Sequence, residues 1–235
     1  MAIAASAAVE TVDLSVTSLR ELNRRLHEAA ADASAPRRWR VLHPNGAHAV
    51  ACGLDTDLDV EIDGHAGYYC AGMNKQATVR VHGNAGTGVA ENMMSGLVVV
   101  EGSASQSAGA TAHGGLLVIH GDASARCGIS LKGADIVVRG SIGHMGAFMA
   151  QTGRILVCGD AGEALGDSLY ETRIYVAGEV AGLGADCVEK ELRPEHVDEV
   201  RELLGRADIG DVDPTLFRRY GSARRLYTFR VDNAY

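Results

Sequence analysis

The sequence predicts an all-β fold, a single-stranded right-handed parallel β-helix of 19-residue coils, and three observations carry that prediction. One glycine returns every 19 residues: Gly64, Gly83, Gly102, Gly121, Gly140, Gly159 and Gly178. Aliphatic runs precede it, as in VRVHG, VVVEG, LVIHG, IVVRG, ILVCG and IYVAG. Further columns keep step: Ala66, Ala85, Ala104, Ala123, Ile142, Ala161 and Val180 follow two positions later, and Ala71, Ala90, Gly109, Gly128, Ala147, Gly166 and Ala185 seven positions later. Periods near 20 residues mark solenoids.

Each repeat holds one short strand whose alternate aliphatics, such as Val98 and Val100 or Ile136 and Val138, point to a shared interior. The repeating glycine is expected where the chain turns, often with positive φ. No helical pattern fits inside the unit, which excludes leucine-rich and helical repeats. A left-handed hexapeptide helix needs an aliphatic at every sixth position, whereas here one side of the coil is aliphatic and the others are Ala/Gly-rich. Seven coils would stack to about 34 Å. Gly109 and Gly128 are expected to face a thin core.

The repeat divides the chain into an N-terminal arm or cap (1–39), the β-helix (40–185) and a C-terminal extension (186–235). Leu19, Leu22, Leu26, Ala29, Ala30 and Ala33 follow the helical period over 18–33, after a possible N-cap at Thr17 or Ser18 and before Pro36. That helix reads equally as a cap or a docking arm. Asn45-Gly46 lies about one residue out of step, so 40–63 reads as a degenerate first coil. In the extension, a helix is expected over 195–204 after Pro194, with the remainder mostly irregular. Phe217, Arg218, Arg219, Tyr220, Arg224, Arg225, Tyr227, Phe229 and Tyr235 interleave arginine with aromatics, which is interface composition, and Trp39 among Arg37, Arg38 and Arg40 reads alike.

With 22 basic and 30 acidic residues, the chain is not a general nucleic-acid binder. Residues 1–10 lack a basic n-region, and no apolar run is long enough to span a bilayer. Five cysteines without a CxxC make neither a disulfide framework nor a zinc or iron–sulfur signature. Cys70 and Cys127 read as small buried hydrophobes, and the compartment as reducing, most simply the cytoplasm.

The column before the glycine stacks His82, Glu101 and His120, which suit a divalent ion by type, yet read more readily as a mutually paired surface stack followed by Arg139. His65 and His113 have no nucleophile or orienting acid at readable spacing. GNAGTG (83–88) has the composition of a phosphate loop, but a strand follows it rather than a helix. Asp122 and Asp160, with Ser141 between them, do not form the carboxylate pair of a polysaccharide-cleaving enzyme. No catalytic, cofactor-binding or metal residue is assigned from these patterns.

GNAGTGVAENMMSGLVVVEG, GDASARCGISLKGADIVVRG and GSIGHMGAFMAQTGRILVCG resemble the GXGXG domain, the right-handed β-helix that closes the large subunit of glutamate synthase, over about residues 45–185. A related β-helix occurs in formylmethanofuran dehydrogenase. The flanks TVDLSVTSLRELNRRLHE, WRVLHPNGAHAVACGL and FRRYGSARRLYTFRVDNAY are similar to the ends of the stand-alone GXGXG subunit of N-methylglutamate synthase. The resemblance implies a non-catalytic scaffold in a hetero-oligomer. It would bridge a class II amidotransferase-like subunit and an FMN-binding glutamate synthase-like subunit, making N-methylglutamate and ammonia from glutamate and methylamine. FMN and any iron–sulfur cluster would then belong to the partner, with no nucleic acid or membrane involved. The alternatives are a split glutamate synthase-like or formylmethanofuran dehydrogenase-like complex, and an independent carbohydrate or acyl-group enzyme on a β-helix.

Overall fold

The computed structural model describes residues 9–31 and 35–224. Its parallel strands stack as a β-solenoid of about seven turns. Strands β1 (Val9–Asp13), β2 (Arg38–Leu42), β3 (Asp59–Asp63), β4 (Thr78–Val81), β5 (Leu97–Val100), β6 (Leu116–Ile119), β7 (Lys132–Val138), β8 (Thr152–Val157) and β9 (Arg173–Val176) pair in chain order. From β3 onward the register follows the 19-residue period, with Val79 opposite Val98, Val98 opposite Leu117 and Leu117 opposite Ile136. These side chains are fully buried in one core running the length of the stack. The small residues two positions after the glycine make single parallel bridges, Ala66 to Ala85 to Ala104 to Ala123.

The repeating glycines serve a different purpose from the one the sequence pattern implied. Of the seven, Gly64 alone has positive φ. They are glycine because the coils touch there. A Cβ on Gly121 would sit 2.8 Å from the backbone of Gly102, and one on Gly159 2.8 Å from that of Gly140. That spacing lets each glycine N–H donate to the carbonyl of the glycine one coil earlier, at 2.9–3.0 Å from Gly102 to Gly178. Most positive φ values fall elsewhere, on alternate residues of the third side: Tyr69, Ala71 and Met73 in one coil, Ser107, Gly109 and Thr111 two coils on. There the N–H groups of Tyr69 and Met73 reach the next coil and that of Ala71 the previous one, so alternation stitches both neighbours.

A second ladder stands directly after the glycines. His65 Nδ1, Asn84 Oδ1, Ser103 Oγ, Asp122 Oδ1, Ser141 Oγ and Asp160 Oδ1 each accept the backbone N–H of the equivalent residue one coil on, at 2.8–3.2 Å. Asp122 and Asp160 are therefore structural acceptors. His65→Ala should cost about 1 kcal/mol by leaving the Asn84 amide without its acceptor. His65→Asn should restore it, because Asn84 fills that role one coil on; urea midpoints of the two variants check this.

The ends depart from the simple coil. Helix α1 (Leu19–Ala31) buries Leu22, Leu26 and Ala29 over the first coil. Asn23 donates to the carbonyl of Ala49 and accepts from the amide of Ala51, so the helix is a cap. The segment before it adds β1 to the sheet, beyond the first coil expected from Asn45-Gly46. At the other end, helix α2 (Pro194–Arg206) stands where Pro194 placed it. The rest of the extension is more regular than its composition implied: β11 (Arg218–Ser222) inserts antiparallel between β9 and β10 (Cys187–Lys190). An antiparallel pair ends the parallel repeat by offering a different edge to solvent. No helix among the described residues is long and apolar enough to cross a membrane.

The outer sheet face as candidate functional site

The outside of the strand sheet carries the His82, Glu101 and His120 column singled out in the sequence, and its chemistry follows from the pleat. In each strand the residues between the core aliphatics point outward. The middle outward column reads Glu61, Arg80, Val99, Val118, Val137, Leu156 and Tyr175, changing from charged to apolar between β4 and β5. Helix α2 explains the change. Val200, Leu203, Leu204 and Ala207 bury themselves with Val118, Val137, Leu156 and Tyr175 in a second core outside the solenoid, which Phe217 also joins.

Ion pairs lock the helix there. Asp135 and Arg154, with side chains 13% and 15% exposed, form a two-pronged pair at 2.8 Å. Arg206 reaches Asp135 at 2.6 Å and Arg154 reaches Glu202 at 2.8 Å. The bond from Arg154 lowers the Glu202 pKa, and Asp135 raises that of Arg154. Tyr175 donates its hydroxyl to Glu199, and burial together with that carboxylate raises the phenol well above its usual range.

Beyond the C-terminal end of α2 the same face is open. His82, Glu101 and His120 lie there in one outward column. They are not one cluster: His82 pairs with Glu61, whereas Glu101 takes Arg80 at 2.6 Å and lies 3.8 Å from His120. Arg40 meets Asp63 at 2.7 Å and Arg38 meets Asp59 at 3.4 Å. Among the described residues no group of three or more His, Cys, Asp or Glu is gathered to hold a metal ion. Two shallow hollows mark the face, one of about 260 Å³ at the end of α2 over Val99 and Val118, the other of about 280 Å³ over Arg40, Glu61 and His82.

Several residues with interface composition turn inward. Trp39 is 4% exposed, donates to the carbonyl of Pro36 and lies under the guanidinium of Arg25. Phe217 and Tyr220 are each 2% exposed; aromatics here fill the outer core and the sheet end. Arg218 donates to the carbonyl of Gly178, Arg219 to that of Glu191, and Arg224 pairs with Asp186. Arg225, Tyr227, Phe229 and Tyr235 lie outside the described residues. Cys70 and Cys127 are fully buried, and burial pushes both thiols up to about 12.

No family model matches the chain. It is 60% identical over 223 residues to Protein GlxC of Rhizobium meliloti (strain 1021), covering 95% of this chain and 97% of that protein. The chain belongs to the GlxC family. At that coverage the shared length of this GlxC-family chain takes in the larger part of both terminal additions as well as the solenoid. The 19-residue period of the core does not single out the middle outward column, although its switch from Glu61 and Arg80 to Val99 and Val118 is the available signal for a covering helix.

Proposed function

We propose that this chain is a non-catalytic solenoid subunit of a glutamate-synthase-like complex, and more narrowly of N-methylglutamate synthase. The observation that carries this reading is the use of its polar columns. The acceptor ladder from His65 to Asp160 binds coil to coil, and the His82–Glu61 and Arg80–Glu101 pairs join neighbouring strands. A stack stitched along every side is a stiff rod suited to holding other subunits apart at a set distance. The coil motifs and flanks that resemble the GXGXG subunit supply the reaction class.

In that reading the rod braces a class II amidotransferase-like subunit and an FMN-binding synthase subunit, which hold the cofactors and perform the chemistry. Glutamate and methylamine would be converted to N-methylglutamate and ammonia on those partners. The test is an untagged purification from the native cell, with mass spectrometry, a flavin absorbance scan and turnover assays with methylamine and with ammonia. The reading requires both partners, a flavin spectrum and methylamine-dependent turnover. A colourless chain that turns over substrate alone would overturn it. In the assembled complex, His82→Ala, Glu101→Ala and His120→Ala should each leave turnover within about twofold, because this reading places no reacting group on the column. A loss of orders of magnitude at any of the three would make the column a reacting site.

A further inference from the structure

The packing of α2 shows how a helix reads this sheet. Glu199 binds Arg173 and Tyr175, Glu202 binds Arg154, and Arg206 binds Asp135. Arg173, Arg154 and Asp135 occupy one column on three successive strands, and their partners on α2 are three and four residues apart. A helical turn of about 5.4 Å nearly matches a strand spacing of about 4.8 Å, so each turn meets one coil. The helix ends at Arg206 and Asp208 turns the chain at positive φ, with Ile209 still buried in the outer core and Asp211 paired back to Arg139. The sheet does not end there. The face continues through β5, β4, β3 and β2 with the same pitch.

We propose that this open half of the face is a docking groove for an α-helix of a partner protein, lying end to end with α2. The charges commit it to one pattern. Moving away from α2, the rows present Glu101, then Arg80 and His82, then Glu61 and Asp63, then Arg40. The matching helix carries a base, an acid, a base and an acid at steps of three or four residues. At the end nearest α2 it places an apolar side chain in the hollow over Val99 and Val118. Four coils at about 4.8 Å accommodate roughly 13 residues of helix, the length of α2. In the free chain the rows pair with each other; on docking each charge gains a second partner, as Asp135 does between Arg154 and Arg206. This inference rests on reading the chain as a subunit of a larger complex.

The test separates internal pairing from docking. In the variant Glu61→Arg/Arg80→Glu/Glu101→Arg the 61–80–101 pairs reform with reversed sign, although position 61 then faces Arg40 and His82 loses its carboxylate, and the polarity offered to a partner reverses over those three rows. With the subunits that copurify, the Kd of this variant for its partner should rise at least tenfold while the circular dichroism and Tm of the chain hold. Thr78→Trp, which fills the groove without changing charge, should weaken association similarly and decides the matter if the triple variant unfolds. Affinity within twofold of the parent, in a complex that still forms, overturns the groove alone. A chain that purifies as a lone monomer overturns the subunit reading and the groove together.

Discussion

Gly109→Val should lower the unfolding free energy by about 3 kcal/mol or more, the sum of an overpacked core and a β-branched residue at positive φ. Gly109 has φ +66°, and a Cβ there would lie 2.6 Å from Cδ1 of Ile136 and 3.2 Å from Cδ2 of Leu117. Both are fully buried in the stack, with interior neighbours above and below. Ala71 and Ala90 hold the same column at positive φ in earlier coils, so the backbone conformation by itself admits an alanine. Gly109→Ala in an Ile136→Val background, which removes the nearest methyl, should therefore recover much of the loss. Urea denaturation of Gly109→Ala, Ile136→Val and their combination closes a double-mutant cycle and gives the coupling. A Gly109→Val midpoint equal to that of the parent would show that the column does not face the core.

The period of 19 was readable because stacking repeats one steric problem in every coil, and each solution leaves a column. The inward aliphatics, the bridging alanines and the glycine stack all came through for that reason. The cause of the glycines did not. A sequence marks where a Cβ is forbidden without saying whether φ or a neighbouring coil forbids it, and at Gly121 and Gly159 the neighbour does. The extension was harder because its partners lie far along the chain. Phe217 and Tyr220 look like docking residues until α2 and β9 are placed beside them, whereupon they are core. The open half of the outer face, by contrast, is written in Glu61, Arg80 and Glu101, whose meaning appears once α2 shows what the covered half carries.

The strongest single disruption of the outer core should come from Asp135. This carboxylate meets Arg154 and Arg206 together, in a setting where both Asp135 and Arg154 are largely removed from solvent. Asp135→Leu would leave two guanidinium groups sharing Glu202 alone, and should cost about 3 kcal/mol, the low end for breaking a buried pair. The loss should appear first in α2, as faster amide exchange over 200–206 while the solenoid strands stay protected. The apolar replacement Asp135→Leu/Arg154→Leu/Arg206→Met should recover most of the stability, since buried ion pairs often exchange for hydrophobic packing at little cost. The column already accepts such residues, with Leu116 and Leu97 standing in it on the next two strands. If the single variant is as stable as the parent, the network does not hold the helix, and the apolar stripe from Val118 to Tyr175 must do so unaided. Recovery in the triple variant together with weakened partner binding would instead show that the ion pairs set where α2 stops, and with it where the open groove begins.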